Sequence, residues 1–219
     1  MSHLNRKDIA RYDKGGAVFN VGAYGAKPDM VTATCTVTST TTVTATTSVF
    51  KPSDVGKVIY ISSAGTSGAM YKSTITGYTS ATVVSVGGAT NVSSVTFYFG
   101  TDNTTAFQTA IDTAYALGGG KVTGAPGSYI VTSILMKRAV SLDGGSMEGF
   151  KLCSAIGTGE VIQSFFPING SNASYVTVER LWIHCLDYYN LTTCIADVCG
   201  TYTRFKQLKV TGGIFGIVL

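Results

Sequence analysis

The sequence predicts a mainly β protein that contains a solenoid, and three observations lead to this fold class. Charged residues make up only 13% of the 219 residues, while Gly, Thr, Ser and Val are abundant; an average globular protein has about 25% charged residues. One amphipathic helix pattern, in residues 102–117, is followed at once by short alternating strands. Apolar positions near the end of the chain recur at an offset of 27, as from Val178 to Phe205, which is the size of one solenoid coil.

The first 30 residues divide into two short units. Residues 1–16 are polar and end in two glycines, so we expect an arm or linker. Residues 17–30 contain a first strand over 17–24, and the turn around Pro28-Asp29 leads out of it.

Residues 31–100 are a low-charge Thr/Ser/Val segment, which we expect to be an inserted small antiparallel β-domain. Alternation over 31–37 and 43–45 predicts two strands that turn near Ser39-Thr40. One helical turn closed by Gly56 is predicted after them, and four more strands at 58–61, 70–75, 82–86 and 95–99. Six short strands at this spacing predict a small barrel or sandwich. We interpret the threonine-rich faces as solvated, with glycan binding as the alternative.

The helix pattern that follows has one apolar face and clear ends. Asp102 is the predicted N-cap, and the glycines 118–120 are predicted to end the helix. Strands are then predicted over 129–132 and 140–142. The helix is therefore predicted to cover a stack of strands with its apolar face. This face consists of Phe107, Ala110, Ile111, Ala114 and Leu117.

Four segments are familiar in their order along the chain: AVFNVGAYGAKPD at 17–29, TDNTTAFQTAID at 101–112, GGGKVTGAPGSYIV at 118–131 and AVSLDGGS at 139–146. Together they resemble the beginning of pectin-lyase-like (pectate-lyase-like) proteins. The resemblance is greatest to the branch of bacteriophage tailspikes and related polysaccharide depolymerases, which carry similar β-inserts. It implies a right-handed parallel β-helix with an N-terminal capping α-helix, in which residues 101–219 are that helix and the first coils.

The end of the chain shows the coil repeat. The pattern of Val178, Leu181 and Ile183 returns 27 positions later, and the step of three in both copies predicts a repeated corner between two strands. Residues 194–196 match 216–218 at an offset of 22, which implies a longer turn at 186–190 in the first coil. Because the chain stops at Leu219 inside a predicted strand, we expect a fragment whose parent has further coils.

Targeting signals and cysteines indicate the cellular compartment in which the chain folds. The N-terminus has no apolar run of the secretory type and the chain has no apolar span of membrane length, so we expect folding in the host cytoplasm and no membrane partner. Cys185, Cys194 and Cys199 fall in or near apolar strands and are predicted to be reduced core residues. The five cysteines of the chain form no CxxC pair, so no metal site is predicted. They are Cys35, Cys153, Cys185, Cys194 and Cys199.

No catalytic residue is assigned from the sequence. Glycoside hydrolysis needs two carboxyl groups that face each other at about 5–9 Å, and no spacing selects a pair from Asp143, Glu148, Glu160, Glu179, Asp187 and Asp197. Glu179 beside Arg180 is interpreted as a surface ion pair, and His184 as a solvated residue. No nucleophile-elbow serine is present, so no Ser/His/Asp triad is predicted. The glycines 118–120 follow their helix instead of preceding one, so no phosphate loop is predicted either, and no cofactor is expected.

The aromatic residues Trp182, Tyr188 and Tyr189 are the predicted site. Trp182 is expected to point outward between Leu181 and Ile183, and the two tyrosines lie in the long turn. Flat aromatic faces can stack on sugar rings, so these residues are predicted to bind carbohydrate or to lie in a subunit interface, the interface being slightly preferred.

Residues and resemblance together predict the N-terminal fragment of a homotrimeric phage tailspike in the virion. It would attach to phage baseplate or tail components and support a β-helix that binds or degrades bacterial surface polysaccharide. The fragment itself is expected to be inactive, and whether its parent is a depolymerase is left open. The alternatives are a fragment of a cellular glycoside hydrolase or pectate lyase, and a non-catalytic adhesin or fibre segment. The small, scattered net charge of +4 argues against nucleic acid as a partner.

Overall fold

The structure is a computed structural model that describes residues 16–154, 159–165, 175–186, 192–198, 203–212 and 215–218. In these ranges the chain is mainly β, with two parallel sheets, one antiparallel sheet and a single α-helix. No described helix combines the length and the apolar character needed to cross a membrane.

The α-helix α1 spans Thr104–Ala116, and short 3-10 helices lie at Val21–Tyr24, Pro52–Asp54 and Thr66–Gly68. The strands in chain order are β1 Val18–Asn20, β2 Val31–Thr38, β3 Thr42–Ala45, β4 Val58–Ile61, β5 Tyr71–Thr74, β6 Gly77–Ser80, β7 Val83–Ser85, β8 Val92–Gly100, β9 Gly120–Thr123, β10 Gly127–Ile130, β11 Ile134–Leu135, β12 Val140–Asp143, β13 Phe150–Ser154, β14 Gly159–Phe165, β15 Thr177–Cys185, β16 Thr192–Val198, β17 Arg204–Thr211 and β18 Phe215–Val218.

The antiparallel sheet is built from β2 to β8 in the order β5-β4-β8-β2-β3-β7-β6. Its two edge strands, β5 and β6, are consecutive in the chain with only Ile75 and Thr76 between them, so the sheet must curl until its edges approach each other. Phe50, Phe97 and Phe99 fill the interior with ring centroids 5.0–6.0 Å apart. Their burial provides the apolar core that a curled sheet of this size requires.

Most predicted elements of this sheet are confirmed. The turn between β2 and β3 contains Ser39 and Thr40 at φ 57° and 58°, and Gly56 after the helical turn has φ 94°. The sequence predicts no strand between residues 75 and 82, whereas the structure has β6 there, which begins at Gly77. Glycine weakens a strand but does not exclude one, and β6 pairs with β7 from Gly77 to Ser80.

The parallel strands form successive coils, each lying in register on the preceding one. Strands β9–β11 form the first coil, β12–β14 the second, β15–β16 the third and β17–β18 the fourth. Inward side chains stack between coils in ladders, one of which is Val122, Leu142, Val178 and Phe205. Burying each such side chain contributes about 1.5–3 kcal/mol, so the ladders hold the coils together.

The predicted corner and coil repeat are both confirmed. In β15 and β17 the corner residues Arg180 and Gln207 have φ 55° and 49°, the left-handed region that turns a strand sharply. Val178 pairs with Phe205 and Ile183 with Val210. Ile195 pairs with Ile217, the shorter predicted offset.

Helix α1 packs on the core of the coils, as its apolar pattern predicts. Phe107 meets Tyr129 edge-on at 5.3 Å and Phe150 at 6.2 Å, and Ala110, Ile111 and Ala114 are buried. The prediction that Leu117 belongs to this face is wrong, since its side chain is 70% exposed. Leu117 is the C-cap, where the backbone already leaves the helical path.

The ends of α1 are set by two different devices. Gly119 N–H donates to the Ala114 carbonyl and Gly118 N–H to that of Tyr115, a Schellman motif that confirms the predicted glycine stop. At the start, the Asp102 carboxylate accepts from Thr104 N–H at 3.0 Å, although the N-cap position is Asn103. The Asn103 amide is committed elsewhere, because it hydrogen bonds both backbone groups of Lys27.

Strand β1 is shorter than predicted. The chain leaves the extended conformation after Asn20, whose side-chain carbonyl accepts from Gly22 N–H at 2.8 Å and begins a 3-10 turn. This local hydrogen bond competes with the ladder to β9, so the strand ends four residues before the predicted limit at Tyr24.

The antiparallel sheet covers part of the coil surface. Tyr60 packs with Ile130, Cys153 and Leu186 in a buried cluster. The two ends of residues 30–100 also meet, since Asp29 accepts from the Thr101 N–H at 2.8 Å. A short linker can therefore replace the whole segment.

We expect a chain that lacks residues 30–100, with Asp29 joined to Thr101, to keep α1 and the parallel strands folded but to self-associate. The deletion uncovers the apolar side chains of Ile130, Cys153 and Leu186, which the insert covers. Circular dichroism and size-exclusion chromatography measure the two effects. Adding Ile130→Thr to the shortened chain should reduce the self-association. A complete loss of soluble protein in both versions would instead show that the insert is part of the folding core.

Candidate binding surface on the parallel sheet

The candidate site lies on the outward face of the sheet region formed by β13, β15 and β17. Lys151 on β13 is in register with Trp182 on β15, and Trp182 is in register with Lys209 on β17. The neighbouring positions Leu152, Ile183 and Val210 face the core, so alternation along each strand sends this row of three outward. The predicted outward direction of Trp182 is thereby confirmed.

Both lysines contact the indole of Trp182. The Lys151 Nζ lies 3.4 Å from a ring centroid of Trp182 and the Lys209 Nζ lies 4.0 Å from one. Strands β13 and β17 flank β15 on opposite sides, so the two ammonium groups reach the indole from both neighbours. Each cation is attracted by the negative ring face, by about 0.5–2 kcal/mol.

A hydroxyl group fixes the edge of the indole. The Trp182 Nε1–H donates to Thr211 Oγ1 at 2.6 Å, and His184 Nδ1 lies 2.8 Å from the same oxygen. Because this oxygen accepts from the indole, its own hydrogen is free to point at Nδ1 of a neutral imidazole. Thr211 therefore orients Trp182 and His184 together, and their ring centroids are 5.8 Å apart.

The surroundings of His184 favour the neutral imidazole. Burial lowers the pKa of His184, and the positive charge of Lys151 lowers this pKa further. The prediction that His184 is a solvated residue is therefore only partly right: its side chain points outward, but it is half-buried against Trp182 and Thr211.

The positive charge of the row is only partly balanced. Lys209 pairs with Glu148, whose oxygens lie 3.0 and 3.2 Å from Nζ. Glu148 is itself well exposed, with 67% of its side chain accessible. In the part of the chain that the structure describes, Lys151 has no carboxylate within ion-pair distance.

A second charged cluster lies on the other side of the β15 corner at Arg180, around Asp143 at the end of β12. Its carboxylate accepts from Lys121 Nζ at 2.9 Å, from Arg180 Nε at 2.9 Å and from Gly145 N–H at 2.9 Å, and it also pairs with the Arg180 NH2 group. Burial opposes the charged form, but the hydrogen bonds from Arg180, Lys121 and Gly145 outweigh it and hold the pKa of Asp143 at about 2. The cluster ties three coils together, since Lys121, Asp143 and Arg180 come from successive ones.

The structure brings two carboxylates to adjacent positions that the sequence did not pair. Asp143 is directly opposite Glu179 in the ladder between β12 and β15. A general acid for glycoside hydrolysis needs a raised pKa, whereas the pKa of Asp143 is strongly lowered. The arrangement is therefore that of an ion-pair network, and Arg180 lies 4.0 Å from Glu179 as the sequence predicts.

The other predicted site residues and carboxylates are distributed as follows. Tyr188, Tyr189 and Asp187 lie outside the described residues, as does the side chain of Asp197. Glu160 accepts from Gln163 Nε2 at 2.8 Å. Binding of carbohydrate or of a second subunit by Trp182 stays a prediction.

The cysteines that the structure describes are free and buried: Cys35, Cys153, Cys185 and Cys194. The buried positions of Cys185 and Cys194 agree with their predicted core role. Burial raises the pKa of Cys35 and of Cys153 to about 12, which keeps both as thiols. Cys199 lies outside the described residues. Within the described ranges, no cluster of three or more His, Cys, Asp or Glu side chains is arranged to hold a metal ion.

Part of this site was missed by sequence reasoning although a signal existed. The offset of 27 that aligns Val178 with Phe205 also places Lys209 beside Trp182 and Thr211 beside His184. Lys151 carried no such signal, because the coil that contains it is separated from the next by a longer segment, from Lys151 to Trp182.

The chain has partial structural similarity to two known proteins. No protein-family model matches the chain, and no curated protein matches it. Among solved structures, the chain is similar to the A-modules of two mannuronan C-5 epimerases of Azotobacter vinelandii. The similarity to AlgE4 has a TM-score of 0.42 at 19% identity, and that to AlgE6 a TM-score of 0.41 at 21% identity. Each match covers 50% of this chain and 34% of the epimerase module, so the chain matches about a third of the length of these modules.

Proposed function

We propose that the chain is the N-terminal part of a homotrimeric bacteriophage tailspike, which attaches to baseplate or tail components and supports binding of bacterial surface polysaccharide. In this proposal the coils belong to a right-handed parallel β-helix, and α1 is its N-terminal capping helix. The protein would then act in the virion after folding in the host cytoplasm. Cleavage of polysaccharide is not assigned to these coils, because Lys121 and Arg180 hold Asp143, which is opposite Glu179, as an ion-paired carboxylate with a lowered pKa.

The observation that carries the proposal is how the four tailspike-like segments fit together. Strand β1 from the first segment pairs with β9 from the third, and β9 pairs with β12 from the fourth. Helix α1 from the second segment closes over the same core through Phe107 and Ile111. Segments that only shared composition with the family would have no reason to join into one unit.

The proposed trimer is supported by exposed apolar side chains on the surface. Tyr115 and Leu117 are exposed large apolar side chains near the end of α1. Apolar surface of this kind is typical of contacts between chains, and a closed threefold arrangement covers it without open-ended polymerisation. Low overall charge agrees with such an assembly.

Light scattering tests the proposed assembly. At tens of micromolar protein we expect a mass of about three times the 22.9 kDa of one chain. Leu117→Ser, which removes an exposed apolar side chain without disturbing the core, serves as a probe of whether the α1 end takes part. A strictly monomeric protein over this concentration range would contradict the trimer.

A further inference from the structure

We propose that Lys151, Trp182 and Lys209 form a binding site for carboxylated saccharides, in which the ammonium groups pair with ligand carboxylates and the indole positions the two lysine side chains. This inference rests on the proposed function, because it names the class of polysaccharide that the surface would take.

The first argument is electrostatic. Two ammonium groups lie within 4.0 Å of indole ring centroids of the same side chain, so their charges repel each other at short range. Glu148 compensates Lys209, whereas Lys151 has no carboxylate partner in the described part of the chain. Because the positive charge of Lys151 is not compensated, binding of an anion lowers the electrostatic energy of this arrangement. Charge complementarity therefore selects an acidic ligand.

The second argument is that the site already accepts a carboxylate. The two oxygens of Glu148 both lie within hydrogen-bond distance of Lys209 Nζ. Since the Glu148 side chain is 67% exposed, its ion pair is weak and a ligand carboxylate can replace it at small cost. Lys151, on the other side of Trp182, is available for a carboxylate without any displacement.

The third argument concerns pre-organisation. The indole is anchored at its Nε1–H by Thr211, and the strands on both sides are paired with β15 in register. Cation–π contacts hold both lysine side chains near the ring, so less side-chain entropy is lost when they bind an anion. Neutral sugars are expected to gain little binding free energy at Trp182, because the ammonium groups occupy the positions over the indole that a stacked sugar ring would need.

Trp182 provides the readout, because it is the only tryptophan in the chain. The probes are hyaluronate oligosaccharides, which carry carboxylates, and the same oligosaccharides after reduction of every carboxyl group to an alcohol. We expect a saturable change in Trp182 fluorescence with the carboxylated probe, weakened by added salt, and none with the reduced probe.

Three lysine substitutions test which residues bind the carboxylated probe. Lys151→Gln and Lys209→Gln should each weaken binding of the carboxylated probe by about tenfold, the value of one charge-assisted hydrogen bond. Lys206→Gln is the matched control, because Lys206 is an exposed lysine of the same strand as Lys209 but lies on the other side of the corner at Gln207. It should change the affinity by less than about twofold.

Two results would overturn the inference. An equal fluorescence response to the carboxylated and the reduced probe would show recognition of neutral sugar, and the absence of any response would show that the row binds neither. Both outcomes leave the proposed tailspike role intact if light scattering still reports a trimer. A monomer that binds the carboxylated probe, in contrast, would retain this site and reject the proposed assembly.

Discussion

The substitution Gly144→Ala is expected to destabilise the parallel coils by about 3 kcal/mol or more, the upper range for forcing atoms into a packed interior. An added Cβ at this position would lie 2.5 Å from the Arg180 carbonyl oxygen and 2.7 Å from Leu181 Cβ. The carbonyl cannot move away, because Arg180 is the left-handed corner of β15 and its side chain is held by Asp143. Chemical denaturation followed by the fluorescence of Trp182, which lies on the same strand as this corner, measures the loss.

The adjacent substitution Gly145→Ala is the matched control. Gly145 has φ 74°, but no atom lies within 4 Å of its added Cβ. Only the left-handed backbone is then penalised, by about 1–2 kcal/mol. A loss for Gly145→Ala equal to or greater than that for Gly144→Ala would show that backbone conformation, and not the close approach of two coils, decides the stability here.

The second large effect is expected for Asp143→Asn, which should cost about 2 kcal/mol at neutral pH. The amide keeps the size of the carboxylate but loses the charge that holds Lys121 and Arg180. The depression of the Asp143 pKa from 3.8 to about 2 corresponds to a stabilisation of this order. Asp112→Asn is the control, because Asp112 pairs with Lys137 on the surface, with 46% of its side chain exposed, and should cost less than about 1 kcal/mol.

The pH dependence follows from the same group. Because the folded state lowers the pKa of Asp143, its stabilisation is fully present above pH 4 and is lost as the pH falls toward 2. The free energy of unfolding of the native sequence should therefore fall over this window. In Asp143→Asn the fall should be smaller by the contribution of one proton. An unchanged slope between pH 4 and pH 2 would mean that Asp143 is not ionised preferentially in the folded chain.

The sequence by itself determined the local structure wherever neighbouring residues set the pattern. The apolar spacing of Phe107, Ile111 and Ala114 predicted the buried face of α1, and the glycines after it predicted its end. The offset of 27 predicted which residues of β15 and β17 lie side by side. These features follow from the periodicity of helices and coils, which can be read along one stretch of chain.

Only the tertiary structure decided which distant groups meet. Lys151 and Trp182 are 31 positions apart and come together through β-ladder pairing between coils of unequal length, so no fixed offset predicts their contact. Asp143 looked like one carboxylate among several, but its contacts with Lys121 and Arg180 on the neighbouring coils turned it into a buried anion. Leu117 fitted the helical period and is nevertheless exposed, because α1 ends at Ala116 and the backbone leaves the helical path at Leu117. In each case the outcome depends on the path of the chain between elements, which short-range patterns do not contain.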